Sequence, residues 1–184
     1  MKKAVGIGVA VVAGGAVALG GAWIVGTTLP AEHEVRLSVA TRQGPAAVWK
    51  IVSDLEAQPA WRSDLTKVER VEDIAGKAAW RETSADGDAR ILVTAGWSPP
   101  HSLQRDHVED GYLRGTVSVD LVPEGMGTRV TVTEKQFTPS PLGRVTQRVF
   151  GRTGTSAAFY LRSLADHLGD TGNKVVVADE PPPE

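Results

Sequence analysis

From Glu34 to Ala40 polar and apolar positions alternate, with Val35, Leu37 and Val39 on one side and Glu34, Arg36 and Ser38 on the other. This is the period-2 signature of a half-buried strand. Gly44-Pro45 closes it, and Pro45 with Ala46, Val48, Trp49, Ile51 and Val52 predicts a short helix ending near Asp54. A turn or second short helix is expected at Gln58-Pro59-Ala60-Trp61-Arg62. Further strands are predicted at Leu65 to Glu72, Ala78 to Thr83, Ala89 to Trp97, Ser102 to Val108, Tyr112 to Val122 and Thr128 to Phe137. Their links, such as Ala75-Gly76-Lys77, Ala85-Asp86-Gly87-Asp88 and Glu109-Asp110-Gly111, are rich in turn residues. They are too short for parallel crossovers and suit antiparallel neighbours.

After Thr138-Pro139-Ser140-Pro141 the period changes to that of a helix running from Leu142 to Leu168. Its 27 residues would extend about 40 Å, long enough to lie across a whole sheet. Leu142, Val145, Val149, Thr153, Ala157, Tyr160 and Leu164 share one arc, with Phe150, Leu161 and Leu168 at its margin. The arc is bulky at its ends and small in the middle, at Gly151, Thr153, Gly154, Ala157 and Ala158. Two interior glycines cost roughly 1 kcal/mol each relative to alanine, so helix stability does not account for them. A helix that touches a sheet at both ends and stands off between them leaves a cavity; the alternative is that another element fills the gap. Strand, small helices, six strands and a long helix together predict an α+β fold, a curved antiparallel sheet of about seven strands around a C-terminal helix.

Ahead of this domain, Ala4 to Thr27 is a run of 24 mostly apolar residues, about 36 Å as a helix against a hydrocarbon thickness of about 30 Å. An N-terminal transmembrane helix is expected, with a signal peptide cleaved after Ala16-Val17-Ala18 as the competing reading. Lys2 and Lys3 before the span and Glu32 and Glu34 after it leave the N-terminus cytoplasmic and the domain outside, in a single-pass membrane protein. Gly6, Ala10, Gly14, Ala18, Ala22 and Gly26 recur every four residues, a spacing that suits a weak homodimer through the span. Residues 1–30 thus read as anchor and link, 31–169 as the domain, and 170–184 as an acidic, Pro-rich tail expected to be disordered.

Composition narrows the chemistry. The chain has no cysteine, which excludes disulfides, thiolate catalysis and cysteine-ligated metals. A formal net charge of −2 without a basic stripe argues against nucleic acid. His33, His101, His107 and His167 lack metal-ligand spacing, and Asp106, His107, Glu109 and Asp110 sit at a hairpin tip where acidic residues are ordinary, so no metal and no cofactor are expected. Gly151-Arg152-Thr153-Gly154-Thr155-Ser156 has glycines but not the lysine of a phosphate loop.

Several local words give the chain a family likeness: Trp61-Arg62-Ser63-Asp64-Leu65, Pro99-Pro100-His101, Gly115-Thr116-Val117, the run Gly127-Thr128-Arg129-Val130-Thr131-Val132-Thr133-Glu134, Pro141-Leu142-Gly143-Arg144, and Tyr160-Leu161-Arg162-Ser163-Leu164. In this order, from Glu34 to Gly169, they resemble the START-like superfamily, also labelled SRPBCC, in its polyketide cyclase/dehydrase and lipid-transport branch, here as a membrane-anchored member. The resemblance implies a helix-grip fold enclosing a cavity for a hydrophobic or amphipathic small molecule. Its members include lipid carriers, quinone-binding proteins, hormone receptors and cyclising enzymes, so activity is left open. Similar sequences often carry tryptophan in the last strand; Val132 here would widen an inward-facing pocket.

Glu134 shares a strand face with Val130 and Val132, so if those are buried its carboxyl faces the cavity, where an apolar setting favours the protonated form. It is the candidate catalytic residue, with Arg105 and Arg114 as candidate partners; the plainer reading is a strand-end glutamate paired with arginine at the cavity mouth. Trp61, Trp80, Ile91, Val93, Trp97, Val117, Val119, Val132, Glu134, Ala157 and Tyr160 form the expected ligand lining. Three functions follow. The first is membrane-tethered, non-catalytic binding or transfer of a lipid, isoprenoid or polyketide-like molecule. The second is a cyclase or dehydratase using Glu134 as acid and base. The third is a ligand-free domain that binds a protein partner.

Overall fold

The computed structural model describes residues 21–150 and 154–178, which fall into two compact units, 21–33 with 137–150, and 34–136 with 154–178. In the first unit, residues 21–28 are helical and helix α2, Pro141–Phe150, follows a Pro-Ser-Pro entry. Arg144 ties the connecting segments together, its guanidinium donating to the carbonyls of Thr138 and Pro139, each at 2.9 Å, and of Leu29 at 3.2 Å.

The second unit holds the sheet and most of its cover. Strands β1 (Glu32–Thr41), β2 (Leu65–Ile74), β3 (Lys77–Ser84), β4 (Ala89–Ser98), β5 (Ser102–Glu109), β6 (Tyr112–Glu124), β7 (Gly127–Phe137) and β8 (Val176–Val177) form one eight-stranded sheet in the order β2-β3-β4-β5-β6-β7-β1-β8. From β2 to β7 every neighbouring pair is antiparallel and joined by a short turn. Asp110 and Gly111, both at positive φ (51° and 78°), make the tight turn between β5 and β6 that a two-residue hairpin requires. Register shifts at Thr94/Gly96 and His107/Val108 bend the strands, as bulges do. Helix α1 (Pro45–Ser53) buries Val48, Trp49 and Val52, and helix α3 (Thr155–His167) buries Ala157, Tyr160, Leu161, Leu164 and Ala165. These join Val39, Leu103, Val119, Leu121, Val130 and Val132 in a single core cluster.

Three expectations are corrected. The continuous helix Leu142 to Leu168 is instead two helices, α2 and α3, and Gly154 before α3 is left-handed at φ 80°. There a Cβ would lie 2.8 Å from Cγ1 of Val35, and Ala157 is fully buried in the core, so the small residues permit close approach to β1 rather than a stand-off. Gly151 and Thr153 lie outside the described residues. Residues 170–178, expected within the disordered tail, are also placed in the fold. Asp170 is buried, its carboxylate accepts from the backbone N–H and Nε of Arg42 (2.9 and 2.5 Å), and β8 pairs antiparallel with β1.

The third correction concerns the membrane. No helix among the described residues is long and apolar enough to cross one. Residues 21–28 would extend only about 12 Å, and residues 4–20 of the expected span, with Gly6, Ala10, Gly14 and Ala18 of the dimerisation row, lie outside the described residues. The single-pass localisation, its topology and the dimer drawn from it are not upheld.

Candidate functional site

The sheet register fixes which side chains share the face that α3 covers. Glu134 opposes Val117, Val117 opposes Arg105, and Arg105 opposes Thr94, two residues from Leu92. Leu92 in turn opposes Trp80, while Arg90 opposes Glu82. One half of this face is aliphatic, with Val130 and Val132 paired to Leu121 and Val119. The other half carries Glu82, Arg90, Arg105 and Glu134.

Glu82 is 1% exposed and is the centre of an ion cluster. Nε and Nη2 of Arg90 both donate to its Oε2, at 3.0 and 2.7 Å, and Nη1 of Arg105 donates to its Oε1 at 2.5 Å. Burial alone would push this carboxyl up; the cations of Arg105, Arg90 and Arg62 outweigh burial and hold it at about 2. Arg62 arrives from the turn after Gln58-Pro59-Ala60 and is itself buried. Its Nε and Nη2 grip both carboxylate oxygens of Asp64 (3.1 and 2.6 Å), and its Nη1 donates to Gln58 Oε1 at 3.0 Å. Burial works against the Arg62 charge, yet the hydrogen bond to Asp64 and the charges of Glu82 and Asp64 raise it above the ordinary arginine value. The guanidinium lies 5.1 Å from the centre of the Tyr160 ring. Burial lifts the Tyr160 phenol to about 12, and its hydroxyl, buried, has no hydrogen-bond partner among the described residues.

Between the β3–β4 hairpin and the first turn of α3 is a cavity of about 360 Å³, bordered by Asp64, Leu65, Glu82, Ser84, Arg90 and Ser156 among others. Both nitrogens that Arg90 gives to Glu82 lie on one edge of its guanidinium, which leaves Nη1 toward the other. Partial burial raises the half-exposed Glu134 carboxyl above the ordinary value, although Ser156, Arg90 and Arg62 pull the other way. The wall presents Arg90 and the Ser156 hydroxyl together with the carboxylates of Asp64, Glu82, Asp86 and Asp88. That set suits an oxygen-bearing group.

The expected lining is distributed differently. Val117, Val119, Val132 and Ala157 belong to the core cluster or pack against it. Ile91 and Val93 oppose Arg81 and Ala79, and so lie on the face opposite Glu82. Trp97 is half exposed and sits edge-on to Trp49 at 5.2 Å. Trp80 faces inward with Arg70 stacked on it at 5.4 Å. Trp61 meets Tyr160 edge-on at 5.3 Å and borders a separate, shallow groove of about 470 Å³ with Phe159, Arg162 and His167. Neither candidate partner of Glu134 reaches it as an ion pair. Arg105 is taken by Glu82, and Arg114 pairs with Glu109 at 2.9 Å.

Glu82, Arg90, Arg62 and Ser156 are not among the site residues expected from the sequence. A usable signal was present: Trp80 and Glu82, Arg90 and Leu92, and Leu103 and Arg105 each put a charge two residues from a bulky apolar side chain on consecutive strands. Charges of opposite sign on the inward face of three neighbours predict a buried ion cluster.

Residues 32–169 match the model of a family described as polyketide cyclase / dehydrase and lipid transport. No curated protein matches. Among solved structures, the chain is similar to protein Ms6760 from Mycobacterium smegmatis (14% identity, TM-score 0.53, covering 74% of this chain and 90% of that one). It is also similar to the Zhui aromatase/cyclase from a Streptomyces species (13%, 0.56, 75% and 94%). A norcoclaurine synthase point mutant from Thalictrum flavum, in complex with a transition-state analogue, gives 11%, 0.60, 76% and 95%. At these identities the likeness concerns the fold.

Proposed function

The chain belongs to the polyketide cyclase / dehydrase and lipid transport family, and from that premise we propose that it binds a small hydrophobic molecule with an oxygen-bearing end. That end occupies the cavity beside Glu82, Arg90 and Ser156. The supporting observation is the cavity itself. Its volume, about 360 Å³, falls inside the usual ligand range of about 300–1,000 Å³, and its wall mixes Leu65, Ala85 and Ala89 with the polar side chains of Ser84, Arg90, Ser156 and the carboxylates of Asp64, Glu82, Asp86 and Asp88. Glu82 does not compete for the ligand, because both of its oxygens are already occupied by arginines.

Extraction of the purified full-length protein should release an apolar, oxygen-bearing compound, and Ala89→Trp, which places a large ring at the cavity wall, should abolish its retention. A protein that carries no such compound and binds no apolar fluorescent probe would overturn the reading. A second reading, a cyclase or dehydratase, draws on the Glu134 carboxyl, which partial burial pushes toward its protonated, proton-donating form. Turnover of a poly-β-ketone thioester that is lost in Glu134→Gln would favour it over binding alone.

A further inference from the structure

We infer that the cavity takes an uncharged, carbonyl-bearing ligand and turns carboxylates away, with Asp86 and Asp88 at its rim as the residues that set this choice. The inference rests on the ligand-binding reading of the cavity and names the charge class of the ligand. Arg90 is the donor to the carbonyl. Its Nε and Nη2 are taken by Glu82 at 3.0 and 2.7 Å, Nη1 has no hydrogen-bond partner among the described residues, and the side chain is 37% exposed where it borders the cavity. A carbonyl oxygen asks only for an N–H or O–H, and Arg90 and Ser156 both carry one at the cavity. A carboxylate accepts the same donors but brings a charge, so the surrounding charges decide whether it is tolerated.

The paired groups alone would favour an anion. Arg62, Arg90 and Arg105 converge on Asp64 and Glu82, three guanidiniums against two carboxylates. Asp86 and Asp88 reverse the sign, making it three against four. Both border the cavity, both are exposed, and neither has an ion-pair partner among the described residues, so they are the first charges a ligand meets. The turn between β3 and β4 fixes them there. The N–H of Ser84 donates to the carbonyl of Asp88 at 2.8 Å, the N–H of Gly87 to the carbonyl of Ser84 at 3.0 Å, and the N–H of Asp88 to Oγ of Ser84 at 3.1 Å. Gly87, at φ 91°, allows the reversal. The N–H of Ala85 donates to the carbonyl of Asp64 at 2.8 Å, which ties the turn to the residue before β2.

The test uses two fluorescent probes of matched size and the full-length chain. One is the ketone 6-acetyl-2-(dimethylamino)naphthalene; the other is 6-(dimethylamino)-2-naphthoic acid, in which an ionised oxygen replaces the methyl group. At about pH 7 and low salt, wild type should bind the ketone at least about tenfold more tightly. The gap should narrow in about 1 M salt, where charges are screened beyond about 3 Å. Asp86→Asn combined with Asp88→Asn restores three guanidiniums against two carboxylates, and should shrink the gap by at least about fivefold by strengthening binding of the acid. Equal binding of the two probes by wild type, a gap insensitive to salt, or a gap that the double variant leaves intact overturns the inference and leaves the cavity reading standing. Failure of wild type to bind either probe overturns both.

Discussion

Replacing Glu82 with glutamine removes the negative charge on which Arg90 and Arg105 converge while keeping the side chain's shape. Its cost can be reached by two routes. Holding a carboxyl at about 2 rather than 4.5 corresponds to about 3 kcal/mol of stability at neutral pH, at about 1.4 kcal/mol per pH unit. Independently, breaking a buried ion pair strands the remaining charge, here Arg105 with its side chain 3% exposed, at about 3–5 kcal/mol. The two routes describe one effect and agree. For a chain of this size that is a fall of about 10 °C in Tm and about a fifth or more of a typical stability of about 5–15 kcal/mol. The pH dependence makes the test specific. The folded-state value is depressed, so the stabilisation is complete above 4.5 and disappears as pH falls through about 2. Urea denaturation of wild type and Glu82→Gln across that window should show a gap that closes on acidification, because protonated glutamate and glutamine then resemble each other. A gap that stays constant with pH, or one below about 1 kcal/mol at neutral pH, would refute the claim that Glu82 is a paired, ionised group.

Three further outcomes follow. Glu134 has the opposite sign: its folded-state value is raised, so wild type loses stability as pH rises above 4.5, and Glu134→Gln should gain on it over that range in the same urea series; a variant that falls behind would mean the carboxylate is favoured in the fold. Tyr160→Phe deletes a buried hydroxyl with no partner among the described residues, so Tm should hold or rise, with a gain of up to about 1 kcal/mol; a loss above about 2 kcal/mol would reveal a partner. Gly154→Ala forces a side chain to φ 80° and brings its Cβ to 2.8 Å from Val35, and should cost about 2 kcal/mol in a denaturant titration; a loss under about 0.5 kcal/mol would show that this turn relaxes freely.

The strands were legible because each is half buried and alternates. The ladder from Leu65 to Phe137 falls within about two residues of its expected boundaries. The helix break at Gly154 was harder to see. Glycines in a periodic apolar arc can mark either a cavity or a close approach, and only the position of Val35, brought near by the sheet, decides between them. The strand β8 is two residues long, and its pairing to Leu37 and Ser38 is a tertiary event that no local period announces. The lining was less legible for a related reason. Apolar residues on strands were assigned to ligand contact, but the inward ones at Val119 and Val132 are consumed by α3, and those at Ile91 and Val93 face away. A strand's alternation tells which residues share a face without telling which face is inside.

What distinguishes the site from the core is where the polarity is placed. A buried cluster of three arginines around Glu82 and Asp64 is weak evidence for stability, since well-packed apolar residues commonly do as well or better. If packing were the purpose, the aliphatic half of the face, where Val130, Val132, Val119 and Leu121 interlock with α3, could simply have continued across β3, β4 and β5. Instead Glu82, Arg90 and Arg105 interrupt it beside Trp80, Leu92 and Leu103. The two acids of the polar half also behave oppositely in one neighbourhood: Glu82 is pinned in its charged form by Arg105 and Arg90, while Glu134, with no ion-pair partner among the described residues, is pushed by burial toward its neutral form. Divergent acids are a mark of functional sites. Of the two, Glu82 holds the guanidinium of Arg90, which borders the cavity.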